Sequence, residues 1–358
     1  MSTGCDVSLV LVAHRSSALL PAAVDSFRRE AAAVGLAGEA IVVEQSEDDA
    51  ELERAAAARP DLLLARPNRG YAAGVNAGLA SARGRWLLVG NPDVELGPGA
   101  LRALLAALGD GWDVVGPQFA LAGALFPPAD DQTPRAEVAR RRAWRSRGGW
   151  EGHMRAELAR WSRVWEASAP VSVPTLSGAL LAFASESSTR LGPWPEDYFL
   201  YFEETEWLRR ARRRDARLAV VPAARAVHAW GHAADPGAFA GRFASSQRMF
   251  FRRFHPVLGR PALAVRPAEP PVARPWPGQP QGASRWLLSP SLRGFPAALV
   301  APGLVVEEVA AAFCLACGRD EVTLVGVGVG EPILGPFVWS RSTAGSVNGE
   351  ARPSSEAR

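Results

Sequence analysis

Short apolar runs that alternate with helical segments constrain the fold of this chain more than any other feature. The runs at residues 7–13, 40–43, 62–65 and 85–89 have the length and composition of buried strands, and helical patterns lie between them. Strands that alternate with helices are joined by right-handed crossovers and form a mostly parallel sheet. We therefore predict an α/β fold in which ligands bind at the carboxyl ends of the strands.

The length of 358 residues allows two or more domains of roughly 100–200 residues each. The alternating pattern and the strands and helices that follow it predict one α/β domain over residues 1–258, with an Arg- and Trp-rich helical insert at residues 135–168. A proline-dense stretch predicts a semi-rigid linker at residues 259–283, in which we expect no regular element. Residues 284–342 predict a small accessory α/β module, and residues 343–358 a disordered tail.

Charge, apolar runs and cysteine content exclude several classes of protein. All 40 basic residues are arginine, and the net charge of only +3 argues against a nucleic-acid partner. No run reaches the ~18 apolar residues of a membrane span, and no signal peptide begins the chain, so we expect a cytoplasmic protein. Three cysteines make no disulfide framework, and Cys314 with Cys317 predicts two buried thiols on one helix rather than a zinc site.

The fourth predicted strand ends in Asn91, Pro92 and Asp93, which places a carboxylate at the ligand-binding edge of the sheet. A carboxylate there is suited to hold a divalent cation against a diphosphate, and Glu95 follows as a second acid. The alternative is an Asn-Pro-Asp turn that only closes the strand.

Two further motifs flank this turn in the sequence. Residues 68–76 form a turn and a helix start rich in small residues, which either lets a ligand approach the backbone closely or forms an ordinary helix cap. Residues 203–206 read Glu-Glu-Thr-Glu at the start of a predicted helix. These acids either interact favourably with the helix dipole or form a catalytic pair.

In this order, the three motifs resemble those of the family 2 glycosyltransferases, the inverting enzymes with the GT-A fold, and especially their rhamnosyltransferase-like branch. The resemblance covers residues 6–255. It implies transfer of a sugar from a nucleotide-sugar donor, of the dTDP-rhamnose or UDP-sugar type, to a hydroxyl of a saccharide or lipid-linked acceptor. It also implies a single inverting displacement with a carboxylate base and a Mg²⁺ or Mn²⁺ ion.

The resemblance assigns roles to individual residues. Asp93 and His228 are the implied metal ligands, and Glu204 is the implied general base, with Glu203 as the alternative. The residues implied to line the donor site are His14, Glu44, Asn68, Gly70, Asn76, Asn91, Ser177 and Gly178. Among them, Glu44 stands where the family accepts hydrogen bonds from the nucleobase, and His14 where it stacks on the base.

The same fold is compatible with two alternative functions, of which the first stays open and the second is disfavoured. The sequence departs from the family pattern at His14, Glu44, Asn91 and Glu204, which favours considering a catalytically inactive GT-A domain that acts as a sugar-binding or scaffold protein. A nucleotidyltransferase of the same fold usually carries a Gly-rich, basic loop directly after the first strand, and residues 13–17 contain none.

The insert at residues 135–165 also has two interpretations. As an amphipathic basic stretch it would lie on the anionic inner face of a membrane, where lipid-linked acceptors reside. Alternatively, it forms a solvated helical lid over the domain.

Overall fold

The computed structural model describes residues 4–228, 236–269, 274–278, 280–328, 330 and 332–341, and for residues 236–239 the backbone only. The chain divides into two compact units. The first unit consists of Met1–Leu121 and Phe126–Ala268, and the second of Ala122–Leu125 and Glu269–Arg358.

Strands and helices follow one another along the described chain. The strands are β1 (Val7–Ala13), β2 (Gly38–Glu44), β3 (Leu62–Ala65), β4 (Trp86–Gly90), β5 (Val94–Leu96), β6 (Val114–Leu121), β7 (Ala124–Leu125), β8 (Val171–Ser172), β9 (Leu180–Ala184), β10 (Leu218–His228), β11 (Arg274–Pro275), β12 (Ala283–Ser289), β13 (Ala298–Val300), β14 (Glu321–Gly328) and β15 (Ile333–Ser340). The helices are α1 (Leu20–Ala33), α2 (Asp49–Ala57), α3 (Tyr71–Ser81), α4 (Ala100–Gly109), α5 (Pro134–Arg142), α6 (Arg147–Trp165), α7 (Ser185–Leu191), α8 (Glu203–Arg212), α9 (Pro236–Phe254), α10 (Gly259–Ala264) and α11 (Val306–Ala316). Short 3-10 turns lie at Ser17–Leu19 and Ala143–Arg145.

The sheet of the first unit is mostly parallel, as predicted. Its parallel strands run in the order β3-β2-β1-β4. β9 pairs antiparallel with both β4 and β6, and β6 pairs parallel with β10, so β4, β6 and β10 all point the same way. The short strands β5 and β8 pair antiparallel with β10. The predicted fold class, an α/β sheet flanked by helices, is confirmed.

Helix α3 lies unusually close to the sheet because two glycines face it. A Cβ atom at Gly74 would lie 2.6 Å from a methyl carbon of Val12, and one at Gly78 only 2.3 Å from a methyl carbon of Val10. The small residues of this helix therefore serve packing against β1, which the sequence pattern does not distinguish from close approach of a ligand.

The prediction of a linker without regular structure is wrong at its beginning, where the chain forms α10. Pro261 is the third residue of this helix, and N–H groups of the first turn have no partner within a helix, so the proline removes no hydrogen bond. Gly259 and Ala262 are buried, and α10 packs against α5 and α9.

The tryptophans of the insert belong to the interior of the first unit. Trp144 and Trp150 stack with ring centroids 5.0 Å apart, Trp161 and Trp165 lie 5.6 Å apart, and none of the four is more than 7% exposed. A helix on a membrane surface would insert such side chains into the lipid, so the tryptophans do not support that interpretation. Among the described residues, no helix combines the length and the apolarity that crossing a membrane requires.

The second unit contains an antiparallel arrangement of β13, β12, β14 and β15 together with α11. β7 pairs with β13, and β11 pairs in parallel with β15. Cys314 and Cys317 are free, buried thiols at the end of α11, as the sequence predicted. Burial raises the pKa of both thiols to about 11, so neither is a reactive thiolate at neutral pH.

Candidate active site

Asp93 and His228 meet at the carboxyl edge of the sheet. β4 ends at Gly90, the chain turns through Asn91 to Asp93, and β5 then runs back along the end of β10, where Val94 pairs with His228. His228 Nε2 lies 3.5 Å from Asp93 Oδ2. The imidazole packs against the rings of Phe119 and Phe126, with centroids 5.4 and 6.2 Å away. The strand pairing thus brings the two predicted metal ligands together.

This pair has the chemistry of a partial cation site. Its side chains are 12% (Asp93) and 18% (His228) exposed, and they offer one carboxylate and one imidazole nitrogen. Glu95 is exposed on β5, and no group of three or more His, Cys, Asp or Glu side chains within the described ranges is arranged to hold a metal ion. Because Mg²⁺ usually binds one or two protein side chains plus phosphate oxygens, the pair fits an ion whose shell a diphosphate completes.

Glu203 and Glu204 begin α8 directly after two residues in the left-handed region, Tyr201 at φ 69° and Phe202 at φ 73°. Such backbone costs on the order of 1–3 kcal/mol per residue and is often found at functional sites. Glu203 is 4% exposed, whereas Glu204 is only partly buried. Burial raises the pKa of Glu203 well above its ordinary range and the charge of Glu204 raises it further, while burial also raises the pKa of Glu204.

The loop before β9 connects the Asn91 turn to Glu204. The Asn91 N–H donates to the Ala179 carbonyl at 2.9 Å, and the Ala179 N–H donates to Ser177 Oγ at 3.3 Å. Gly178, between them, lies against the Glu204 side chain. The structure therefore places Gly178 against the predicted base and links its loop, which includes Ser177, to the Asn91 turn.

The loop at residues 68–70 is joined to the segment that precedes Glu203. Asn68 Oδ1 accepts a hydrogen bond from the Gly70 N–H at 3.1 Å, and the Tyr71 N–H donates to the Phe199 carbonyl at 3.1 Å. Gly70 has a φ of 99°, and a Cβ atom there would lie 2.6 Å from the same carbonyl oxygen. Only glycine meets both demands.

Asn76 holds a neighbouring loop, which does not support the prediction that it lines the donor site. Its Nδ2 donates to the Trp194 carbonyl at 3.0 Å and to Glu196 Oε1 at 2.8 Å, and its Oδ1 accepts from the Trp194 N–H at 3.0 Å. These bonds engage both polar atoms of the amide, so Asn76 is a positioning residue.

Glu44 is likewise engaged by the protein, which does not support the predicted contact with a nucleobase. The residue is 2% exposed, and its carboxylate accepts from the Ser46 N–H at 2.9 and 3.0 Å and from the Ser46 hydroxyl. His14, in contrast, is exposed at the end of β1. Beside it, the Arg15 N–H donates to Ser46 Oγ at 2.7 Å.

Tyr71, directly after Gly70, is a residue beside the candidate site to which the sequence analysis gave no role. Its hydroxyl is buried without a hydrogen-bond partner. Burial, and then the charges of Glu203, Glu204 and Asp93, raise the pKa of Tyr71, so its phenol stays neutral among the acids of the site. An aromatic residue at the first position of a helix suggests only packing, and only its place within the motif at residues 68–76 could have drawn attention to it.

Parts of this chain are similar to known proteins. Residues 8–153 match the model of glycosyl transferase family 2. The N-acetylglucosaminyl-diphospho-decaprenol L-rhamnosyltransferase of Mycobacterium tuberculosis, in strains CDC 1551 / Oshkosh and ATCC 25618 / H37Rv, is 28% identical over 183 residues, which cover 48% of this chain and 56% of the relative. The chain thus spans little more than half the length of the curated relatives it matches.

Solved structures of glycosyltransferases are also similar. A mannosyltransferase from Pyrobaculum calidifontis, in complex with GDP-Man and Mn²⁺, has a TM-score of 0.46 and 18% identity, covering 72% of this chain and 69% of its own. Glucosyl-3-phosphoglycerate synthase from Mycobacterium tuberculosis, in complex with Mn²⁺, UDP and glucosyl-3-phosphoglycerate, has a TM-score of 0.45 and 20% identity, covering 70% and 81%.

The match of residues 8–153 to the model of glycosyl transferase family 2 confirms the resemblance that the motifs predicted. Over 183 residues the chain is also similar to rhamnosyltransferases.

Proposed function

We propose that this protein is an inverting, metal-dependent glycosyltransferase. It moves a sugar from a nucleotide-sugar donor, of the dTDP-rhamnose or UDP-sugar type, to a hydroxyl of a saccharide or lipid-linked acceptor. The observation that carries the proposal is the pair Asp93 and His228, 3.5 Å apart, at the same sheet edge as the Gly178 loop and Glu204. The name of the rhamnosyltransferase relative, whose acceptor is an N-acetylglucosaminyl-diphospho-decaprenol, supports a lipid-linked acceptor.

Asp93 and His228 would hold Mg²⁺ or Mn²⁺ through Oδ2 and Nε2. When bound, such an ion offsets the charge that develops on the leaving diphosphate. The partial burial of both side chains lowers the local dielectric constant, which strengthens every charge interaction with the diphosphate.

Glu204 is the base in this proposal. The acceptor oxygen forms its bond to C1 of the sugar as the bond from C1 to the diphosphate oxygen breaks, and the diphosphate leaves with the electron pair. The hydroxyl proton passes to the Glu204 carboxylate, and the configuration at C1 inverts. Because the proton leaves only as the new bond forms, a carboxylate is a sufficient base, and its raised pKa makes it a better one.

Exposure favours Glu204 over Glu203 as the base. Glu204 is only partly buried and lies against the Gly178 loop, whereas Glu203 is 4% exposed. A group that takes a proton from a bound acceptor must come within hydrogen-bond reach of it.

Donor assays test the proposal. Wild-type protein is incubated with UDP-, dTDP- and GDP-sugars and Mn²⁺ or Mg²⁺, and binding is followed by calorimetry and turnover by release of nucleoside diphosphate. We expect metal-dependent donor binding that Asp93→Asn abolishes, and turnover that Glu204→Gln lowers at least about a hundredfold. Glu95→Gln is the matched control, because this exposed carboxylate should leave both unchanged.

The same assays separate the alternative of an inactive domain. Donor binding without transfer or hydrolysis by the wild type would support a sugar-binding or scaffold role. The Glu44 carboxylate favours that role because it already accepts hydrogen bonds from Ser46. No metal-dependent donor binding at all would contradict the enzyme proposal, and wild-type turnover by Glu204→Gln would contradict the base assignment.

A further inference from the structure

Tyr71 carries a buried hydroxyl group without a partner, although its side chain is held firmly. The ring packs edge-on against Trp194 at a centroid distance of 6.1 Å, and the residue's backbone is fixed to Phe199 by the bond of 3.1 Å. Leaving a buried hydroxyl unpaired destabilises the folded protein. Such groups are rare in native proteins, and each calls for a role or an unseen partner.

A second unpaired atom lies on the neighbouring helix. Glu203 Oε2 is buried without a partner, and the residue is 4% exposed. Helices α3 and α8, which begin at Tyr71 and Glu203, are in contact. Among the charged groups that raise the pKa of Tyr71, Glu203 has the largest effect, followed by Glu204 and then Asp93.

The unpaired atoms of Tyr71 and Glu203 indicate which kind of ligand could bind both of them. The phenol offers an O–H donor, and a carboxylate oxygen offers an acceptor. A phosphate carries acceptor oxygens, so it would satisfy Tyr71 and leave Glu203 unpaired. A sugar hydroxyl both accepts and donates, so one such group would satisfy both atoms at once.

We propose that Tyr71 and Glu203 together bind one hydroxyl group of the transferred sugar. The Tyr71 O–H donates to the sugar oxygen, and the same sugar hydroxyl donates to Glu203 Oε2. This inference rests on the proposed function. In that function, the transferred sugar lies between the diphosphate, which is held at Asp93, and the base Glu204. The Tyr71 N–H is bonded to the carbonyl of Phe199, four residues before Glu203, so the two side chains extend from adjoining segments of this site. Tyr71 and Glu203 would then determine which donor sugars are accepted.

The test compares a sugar nucleotide with its nucleotide alone. Calorimetry with Mn²⁺, without acceptor, measures the Kd of dTDP-rhamnose and of dTDP for wild type and for Tyr71→Phe. If the donor assays identify a UDP- or GDP-sugar as the donor instead, that sugar nucleotide and its nucleoside diphosphate are used. We expect Tyr71→Phe to weaken binding of the sugar nucleotide about ten- to a hundredfold and to leave binding of the diphosphate unchanged. Glu203→Gln should weaken the same ligand and spare the diphosphate.

Thermal unfolding separates a ligand contact from a structural role. Because the Tyr71 hydroxyl makes no hydrogen bond in the folded protein, Tyr71→Phe should leave Tm unchanged or raise it. Tyr198 is the matched control, since its buried hydroxyl donates to Glu206 Oε2 at 2.8 Å. Tyr198→Phe should lower Tm and leave the ratio of the two Kd values unchanged.

Three outcomes would overturn the inference. They are an equal loss of affinity for the sugar nucleotide and the diphosphate, no loss for either, and a Tm of Tyr71→Phe that falls as far as that of Tyr198→Phe. If the wild type binds no nucleotide sugar, the proposed function itself fails, and this inference fails with it.

Discussion

The backbone at Gly178 passes so close to Glu204 that a Cβ atom on the glycine would lie 2.8 Å from Glu204 Cγ and 3.1 Å from its Cβ. The clash would involve the stem of the glutamate and not only its mobile end, so the side chain would have to move as a whole. Gly178 therefore fixes where the proposed base stands.

Gly178→Ala should lower transfer at least about tenfold, because a displacement of the base by about 1 Å has large kinetic consequences. Overpacking should also lower the free energy of unfolding by about 1–3 kcal/mol. Turnover and urea denaturation measure the two effects. Gly152→Ala is the control, since nothing lies within 4 Å of a Cβ atom at that helical glycine, and it should not lower either quantity. Wild-type turnover by Gly178→Ala would contradict this account.

Asn76→Ala should act on stability rather than on donor contacts. The substitution removes the bonds to both polar groups of the Trp194 backbone and the bond to Glu196, and it leaves the Trp194 groups without those partners. We expect a loss of about 1–3 kcal/mol in the free energy of unfolding. At a temperature where the variant is folded, the Kd for nucleoside diphosphate should stay unchanged, and a large rise in that Kd would restore Asn76 to the donor site.

Glu137 anchors the helical insert, and its removal should be costly. The residue is 4% exposed, and its carboxylate accepts from Arg140 and Arg141 of its own helix and from Gln247 of α9 at 3.3 Å. Glu137→Ala would leave the partly buried Arg141 guanidinium without a carboxylate and Arg140 with Asp130 as its remaining one. We therefore expect the free energy of unfolding in denaturant to fall by about 3–5 kcal/mol. Glu151→Ala, which breaks the more exposed pairs with Arg147 and Arg155, should cost about 0–1 kcal/mol. Similar losses for both would show that the Glu137 cluster is not buried in solution.

Periodicity and motif order predicted the sheet and the region of the site, because both depend on local patterns. The strand β1 is buried at every residue, as a central parallel strand requires, and its apolar run is visible in the sequence. His228 could be associated with Asp93 only through the family that the motifs resemble.

Side-chain partners could not be predicted in the same way. Whether Asn76 faces a ligand or the Trp194 backbone depends on a loop 118 residues away, and no local pattern encodes that distance. The Glu44 carboxylate accepts a hydrogen bond from Ser46, two residues later in the chain. The same spacing is also compatible with a carboxylate that is free to bind a ligand. Tyr71 was missed because an unpaired hydroxyl is a property of the packed structure.

Glu203 should make stability depend on pH in a defined direction. Its pKa in the folded protein lies above the ordinary 4.5, so the folded state binds the proton more tightly than the unfolded state. The free energy of unfolding therefore falls as pH rises from about 4.5 through the raised pKa, by about 1.4 kcal/mol for each unit of elevation, and is level above it. Glu203→Gln lacks this contribution and should gain stability relative to wild type across that window.

Urea denaturation between about pH 4.5 and about pH 8 measures this difference. Glu95→Gln is the control, because an exposed carboxylate should give a curve parallel to that of the wild type. A Glu203→Gln curve that is also parallel to the wild type would show that Glu203 titrates normally in the folded protein.

Asp93 and His228 should contribute unequally to the binding of Mn²⁺. Asp93 brings a full negative charge to a hard cation, and His228 brings a neutral nitrogen that is held in place by Phe119 and Phe126. His228→Asn should raise the Mn²⁺ concentration that gives half-maximal donor binding about ten- to a hundredfold, with the same plateau, because the carboxylate and the diphosphate still hold the ion. Asp93→Asn should leave no metal-dependent binding at any Mn²⁺ concentration tested.

Excess EDTA should reduce donor binding by the wild type to the level of Asp93→Asn, and Mn²⁺ added back should restore it. If His228→Asn shows the wild-type Mn²⁺ dependence, His228 does not bind the ion, and its contact with Asp93 would then serve only to orient the carboxylate.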